Sequence, residues 1–130
     1  MDRVSVFIVD DSVQICELIS AYLKSRGMSV EYFTEGAPAI EAIKKAPPHF
    51  VLLDYFLKAE SGQTVLIELS EKLLIGKSTF AIISGNEFSA DEKFGLRSLG
   101  VTEIFSKPLN LEDIGNKIEK TIQENHEHSS

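Results

Sequence analysis

The sequence predicts an α/β fold, a doubly wound parallel sheet built from five βα units in series. Short apolar runs alternate with amphipathic segments along the chain, which is typical of alternating strands and helices. The run 50–53 is apolar throughout, as expected for a strand that helices cover on both faces. The length of 130 residues suits one domain with one core. Together these observations favour parallel pairing, right-handed crossovers and helices on both faces of the sheet.

Each predicted strand is a short apolar run bounded by polar or turn-forming residues. The five strands are predicted at residues 4–9, 28–33, 50–53, 79–83 and 102–105. Each is followed by a segment whose apolar residues recur at helical spacing. The five helices are predicted at residues 13–26, 37–45, 63–74, 88–99 and 111–122.

The helix ends follow from residues that stop or weaken a helix. Gly27 ends the first helix, and Pro47 with Pro48 breaks the second. Gly95 interrupts the fourth helix and makes it the weakest of the five predictions. Residues 124–130 are polar, so we expect a frayed C-terminal tail after a domain at residues 1–123.

Composition narrows the class of protein. Hydrophobic residues make up 43% of the chain and charged residues 25%, an ordinary globular balance. No apolar run approaches the roughly 20 residues that span a bilayer, and no signal peptide is evident, so we expect no membrane partner. The net charge of -7 argues against direct nucleic-acid binding. Cys16 is the only cysteine, which is compatible with a reducing, cytoplasmic location and favours a packing role.

Chemistry-bearing residues follow four of the five predicted strands. Ligands of open parallel sheets bind at the carboxyl ends of the strands, so these residues should meet at one edge. In strand order they are Asp10 and Asp11, then Asp54, then Ser84 with Gly85, then Lys107 with Pro108. Three carboxylates, a hydroxyl and an ammonium are therefore predicted to converge.

Three crowded carboxylates repel one another, and a hard divalent cation usually relieves that repulsion. Oxygen ligands favour Mg²⁺, with Mn²⁺ as an alternative. A carboxylate beside such a metal is also a nucleophile towards phosphorus. Phosphoryl transfer depends mainly on positioning and charge neutralisation, which Lys107 and the Ser84 hydroxyl can assist. The residues thus indicate a metal-assisted phosphoryl-transfer site.

Each element of this pattern has a plainer reading when it is taken alone. Two aspartates before a helix are often no more than an N-cap. Asp54 alone is compatible with a cap or turn, and a Lys-Pro pair is common in loops. The coincidence of all of them at successive strand ends favours the functional interpretation.

These residues lie within motifs that resemble a known family. The motifs are VDDS, LLDYFL followed by SG, ISG, and SKPL, in this order and spacing. With them, about residues 4–123 resemble the receiver domain of two-component response regulators. The resemblance implies a flavodoxin-like, CheY-like fold with strand order 2-1-3-4-5. It also implies a cytoplasmic signalling domain that catalyses its own phosphoryl transfer and slow dephosphorylation, rather than an enzyme of metabolism.

The resemblance assigns a role to each site residue. Asp54 corresponds to the phosphoacceptor, which takes a phosphoryl group from a phosphohistidine with Mg²⁺. Asp11 would bind the metal directly, Asp10 mainly through water, and the Phe56 backbone carbonyl would be a further ligand. Two further residues complete the assignment. Ser84 corresponds to the switch hydroxyl and Lys107 to the lysine that pairs with phosphoryl oxygens, with the Lys107–Pro108 bond expected to be cis.

Two positions depart from the family pattern. Lys58 stands where a proline is usual, which affects the loop after Asp54. Ile104 stands where the family usually has a switch aromatic, and Phe105 follows it. Strand alternation directs Phe105 to the other face, so we interpret it as a core residue.

The implied partners are a sensor histidine kinase or a histidine phosphotransfer protein, and a downstream target. That target is expected on the face formed by the fourth helix, fifth strand and fifth helix. Two alternatives are an Mg²⁺-dependent phosphohydrolase with an aspartyl-phosphate intermediate and a receiver that binds partners without phosphorylation. Phe56 argues against the phosphohydrolase, which usually needs an acid at that position. A stand-alone shuttle, a phosphorelay intermediate and the first domain of a longer regulator all remain open.

Overall fold

The computed structural model describes residues 3–57, 61–71 and 78–128, and within them strands and helices alternate. Five parallel strands form one sheet in the order β2-β1-β3-β4-β5. The strands are β1 Ser5–Val9, β2 Ser29–Phe33, β3 Phe50–Asp54, β4 Thr79–Ser84 and β5 Val101–Ser106. The helices are α1 Val13–Ser25, α2 Gly36–Lys45, α3 Gly62–Glu71, α4 Ala90–Ser98 and α5 Leu111–His128. The predicted fold class and strand order are confirmed.

The sheet separates two hydrophobic layers, and neighbouring residues of one strand enter opposite layers. Val51 and Leu53 pack with residues of α2, α3 and α4, whereas Phe50 and Leu52 pack with residues of α1 and α5. This explains why the central strands are apolar at every position. Burial of such a side chain contributes roughly 1.5–3 kcal/mol, so the two layers stabilise the sheet whose edge carries the site.

Some helix ends differ from the prediction. α4 begins at Ala90 rather than at residue 88, because Ser89 caps it and Glu92 completes a capping box. α5 continues to His128, so the predicted end of this helix at residue 122 is wrong. The segment beyond residue 122 contains no Gly or Pro to stop the helix. The predicted end of α3 at residue 74 lies outside the described residues.

The described helices are not of the kind that spans a bilayer. None of them is both long enough and apolar enough to cross a membrane. α5 is the longest at 18 residues, but much of its sequence is polar.

Candidate functional site at the carboxyl ends of the strands

The structure brings the predicted site residues to one edge of the sheet. Asp10, Asp11 and Asp54 each offer one carboxylate oxygen, and these oxygens all lie within 4.8 Å of one another. Lys107 Nζ lies 3.4 Å from Asp10 Oδ2 and 3.7 Å from Asp54 Oδ2. The Lys107 backbone N–H donates to the Ser84 carbonyl at 2.8 Å, which ties β4 to the lysine loop. The convergence follows because all five strands are parallel and therefore end on the same side.

Asp10 is a fully buried carboxylate with only partial hydrogen bonding. Its Oδ1 accepts from the Ser12 backbone N–H at 2.9 Å. Its Oδ2 has no hydrogen-bond partner among the described residues, although Lys107 is at ion-pair distance. Burial raises the pKa of Asp10 above its usual range and the negative charge of Asp54 adds to this, while the bond from Ser12 and the charge of Lys107 oppose it.

The two aspartates before α1 are not its N-cap. Ser12 is the N-cap, and its side chain accepts from the Ile15 backbone N–H at 3.3 Å. The plainer reading of Asp10 and Asp11 as helix caps is therefore wrong. Their carboxylates lie in the cluster with Asp54.

Asp54 ends β3 and is 4% exposed. Its Oδ1 accepts from the Phe56 backbone N–H at 3.0 Å, and its Oδ2 faces Lys107. Phe56 forms an isolated antiparallel bridge with Ser61, close to the carboxylate in the chain. Lys58, the departure predicted to alter the loop, lies outside the described residues.

A hard divalent cation fits the donor set of this site. The orphaned Asp10 Oδ2 is a buried acceptor, and buried acceptors without partners are costly. Asp10 is one of three clustered carboxylates, and carboxylate oxygens are the ligands that Mg²⁺ and Mn²⁺ favour. The residues present therefore match the chemistry of a magnesium site.

The Ser84 hydroxyl and the lysine loop are both held by backbone contacts. The hydroxyl accepts from the Asn86 N–H at 3.0 Å and donates to the Asn86 carbonyl at 3.3 Å. The Lys107–Pro108 peptide bond is cis, as predicted. The two elements meet through the Lys107 N–H bond to Ser84.

Ile104 and Phe105 are neighbours on β5 and face opposite hydrophobic layers of the sheet. Phe105 is 5% exposed and packs in the layer formed with α1 and α5. Ile104 packs against the other layer. The interpretation of Phe105 as a core residue is confirmed.

Sequence reasoning missed the support that Cys16 gives to the site. Cys16 is fully buried, and its Sγ donates to the Asp10 carbonyl at 3.2 Å. Burial raises the pKa of the Cys16 thiol to about 11, and the negative charge of Asp10 adds to this shift. The thiol therefore stays protonated at neutral pH and serves as a packing group that steadies the Asp10 backbone, an outcome that the helical position of Cys16 alone does not reveal.

A doubly wound sheet of order 2-1-3-4-5 with an acidic cluster at its strand ends defines the CheY-like α/β class. Solved structures share this fold. A CheY-like receiver domain protein from Methanospirillum hungatei aligns with a TM-score of 0.88 at 20% identity, over 98% of this chain and 99% of that one. The receiver domain of a LuxO repressor protein from Vibrio parahaemolyticus aligns with a TM-score of 0.83 at 23% identity, over 95% and 96%.

The chain belongs to the response regulator receiver domain family, whose model matches residues 6–119. Among curated relatives, the transcriptional regulatory protein QseB of Escherichia coli is 28% identical over 118 residues, which are 91% of this chain and 52% of that protein. CssR of Bacillus subtilis is 28% identical over 119 residues, 92% of this chain and 51% of that protein. The chain thus spans about half the length of these relatives.

Proposed function

We propose that this receiver domain takes a phosphoryl group from a phosphohistidine onto Asp54 in the presence of Mg²⁺, and that the modification switches partner binding. The cluster of Asp10, Asp11 and Asp54 beside Lys107 is the observation that carries the proposal. In the transfer, the N–P bond of the donor breaks and an O–P bond to an Asp54 oxygen forms. The donor imidazole leaves with the electrons of the N–P bond, and the proton on its other ring nitrogen makes it a neutral leaving group.

The surroundings of Asp54 suit a phosphoryl acceptor. The Phe56 N–H holds one carboxylate oxygen, so the group is oriented before the donor arrives. Lys107 supplies positive charge beside the other oxygen, where the transferred group gains negative charge. Ser84 lies at the end of the neighbouring strand, and its hydroxyl is the candidate donor to a phosphoryl oxygen.

The acidic residues suit the metal that such a transfer requires. Asp11 is the proposed direct ligand, together with Asp54 and the Phe56 carbonyl, while Asp10 acts mainly through water. Bound there, Mg²⁺ would neutralise charge on the transferring group. Asp10 is fully buried and carries the orphaned oxygen, which supports its part in this set.

The proposed partners follow from the family and from the surface. A sensor histidine kinase or a histidine phosphotransfer protein is the proposed donor. The proposed downstream target binds the face formed by α4, β5 and α5. α4 buries Leu96 and leaves its other residues exposed, so most of its surface is available to a partner.

The proposal is tested by phosphorylation with acetyl phosphate and Mg²⁺, followed by intact mass. The parent should gain one phosphoryl group that hydroxylamine removes, and Asp54→Asn should gain none. Asp113→Asn, on the exposed side of α5, is the matched control and should behave as the parent. Phosphorylation of Asp54→Asn at the parent level would overturn the assignment.

A further inference from the structure

Three aromatic rings form a chain of edge contacts beside the proposed phosphoacceptor. Tyr55 directly follows Asp54, and its ring meets the Phe56 ring edge-on with centroids 5.0 Å apart. The Tyr55 ring also meets the Phe88 ring edge-on, again at 5.0 Å. Edge-on pairs at this separation are the favourable arrangement for aromatic side chains. The chain of rings therefore joins the loop after β3 to the loop before α4.

The Tyr55 backbone is locked to its surroundings. Its N–H donates to the Ile83 carbonyl at 3.0 Å, and its carbonyl accepts from the Gly62 N–H at 2.6 Å. A Cβ at Gly62 would lie 2.7 Å from Tyr55 Cα and 2.9 Å from the Asp54 carbonyl oxygen, so only glycine permits this approach. The Tyr55 backbone beside Asp54 is therefore tied on one side to β4 and on the other to the start of α3.

Phe88 is attached to the first turn of α4. It precedes Ser89, the N-cap, whose hydroxyl accepts from the Glu92 N–H at 3.1 Å. The Glu92 carboxylate in turn accepts from the Ser89 N–H at 2.9 Å. This closed capping box joins the loop to the helix, so a displacement of Phe88 moves the start of α4.

An open groove lies beside Phe88, and the residues of β5 that line this groove are not aromatic. Phe88 and Ile104 line one open groove of about 360 Å³ between the loop before α4 and β5. Ile104 is β-branched and has few rotamers to exchange. Phe88 is therefore the ring at this groove that has both space to move and a contact leading back to the phosphoacceptor.

We infer that Tyr55 and Phe88 are positioning residues that couple the state of Asp54 to α4, the role that an aromatic at position 104 does not fill here. This inference rests on the proposed function, because it requires Asp54 to be the phosphoacceptor. The Ser84 hydroxyl is bonded to Asn86, two residues before Phe88. A phosphoryl oxygen competes for that hydroxyl because charged acceptors form stronger hydrogen bonds. Its release from Asn86 lets Phe88 shift against Tyr55 and carry α4 with it.

The test compares amide chemical shifts with and without beryllofluoride and Mg²⁺, in the parent and in single variants. Amides at residues 10–12 and 54–57 report occupancy of the site, and amides of α4 report the coupled response. In Tyr55→Leu and Phe88→Leu, we expect full site occupancy but an α4 response of roughly half the parent's or less. Tyr55→Phe, which keeps the ring, should restore the α4 response. Phe94→Leu is the matched control, since Phe94 is an exposed aromatic of the same helix and should leave the response unchanged.

The outcomes separate the two proposals. A parent that shows no response at residues 10–12 and 54–57 overturns the proposed function, and the coupling falls with it. Normal occupancy with an undiminished α4 response in both leucine variants overturns the coupling alone. An equal loss in Phe94→Leu also contradicts it, because the effect would then not depend on the ring contact.

Discussion

Two charged regions of the molecule differ in how well their charges are paired. One is the acidic cluster of Asp10, Asp11 and Asp54, and the other is the network of hydrogen bonds that Arg26 donates, called here the Arg26 network. Arg26 joins α1 to α5, and its guanidinium donates to Glu119 at 2.8 and 3.1 Å, to Asn116 at 3.0 Å and to the Tyr22 hydroxyl at 3.1 Å. The hydrogen bonds that Arg26 donates to Glu119 and Tyr22 raise the pKa of Arg26 above its usual value. In the cluster, by contrast, Asp10 is fully buried and one of its oxygens has no hydrogen-bond partner among the described residues.

The difference shows which region is complete without a ligand. Side chains of this protein accept the hydrogen bonds of the Arg26 guanidinium, so the network needs no ligand and contributes to the stability of the fold. The acidic cluster holds more carboxylate than Lys107 balances at ion-pair distance, and a charge buried this way opposes folding. Such an arrangement is retained at sites whose ligand supplies the missing charge.

The largest expected effect comes from removing one buried charge, with Asp10→Asn. The amide oxygen keeps the bond from Ser12, so without metal the variant should be about 1 kcal/mol more stable than the parent. Mg²⁺ at 100 times its dissociation constant should stabilise the parent by about 2.7 kcal/mol and the variant by much less. Urea unfolding with and without Mg²⁺ measures both quantities.

Asp113→Asn is the control for this pair of measurements, because it removes an exposed carboxylate that is not part of the cluster. It should respond to Mg²⁺ as the parent does. If metal-free Asp10→Asn is less stable than the parent, the buried charge of Asp10 does not destabilise the fold. The proposed difference between the cluster and the Arg26 network would then be wrong.

A second expected effect concerns how long a phosphoryl group survives on Asp54. The Phe56 ring is apolar, lies two residues from Asp54 and packs edge-on against Tyr55. An apolar ring cannot orient a water molecule, and we expect it to hinder the approach of water to a phosphoryl group. Phe56→Asn should therefore shorten the phosphoryl half-life about tenfold, or about 1.4 kcal/mol of activation free energy. The half-life is followed by intact mass with Mg²⁺ and no phosphatase. Phe94→Asn is the control, and an equal or longer half-life in Phe56→Asn would show that the ring is not a shield.

The smallest expected effect tests the Arg26 network through Gly115 of α5. A Cβ at Gly115 would contact the Arg26 guanidinium, with 2.9 Å to Cζ, so the side chain must give way. In an Arg26→Ala background, Gly115→Ala should raise the free energy of unfolding by about 1 kcal/mol, the usual gain in a helix interior. In the parent that gain should be lost or reversed, because the guanidinium has to leave its partners.

Gly95→Ala of α4 is the matched control for this cycle. Nothing lies within 4 Å of a Cβ at Gly95, so its gain should be the same with or without Arg26. Urea unfolding of the parent, Gly115→Ala, Arg26→Ala and the double variant gives the coupling free energy between the two positions. If Gly115→Ala changes the free energy of unfolding equally with and without Arg26, the Arg26 network does not depend on the absence of a side chain at Gly115.

The helix boundaries show where local sequence signals run out. The start of α4 was predicted two residues too early because Phe88 fits the apolar spacing, whereas the Ser89 cap decides the boundary. The apolar spacing predicts an end of α5 at residue 122, but α5 continues through the polar residues to His128, since no Gly or Pro there stops the helix. The rings of Tyr55 and Phe88 meet across two loops, so spacing along the chain carried no signal of their contact.

The sequence by itself determined the order of strands and helices, the edge at which Asp10, Asp54, Ser84 and Lys107 meet, and the opposite directions of Ile104 and Phe105. These follow from the period of apolar residues along each element and from the general rule that parallel strands end on the same side of their sheet. Only the tertiary structure decided that Asp10 is fully buried with one oxygen that accepts no hydrogen bond from the described residues, that Cys16 donates to its backbone, and that Gly115 makes room for Arg26. Burial and close approach depend on which distant segments pack together, and that information lies in no single stretch of the chain.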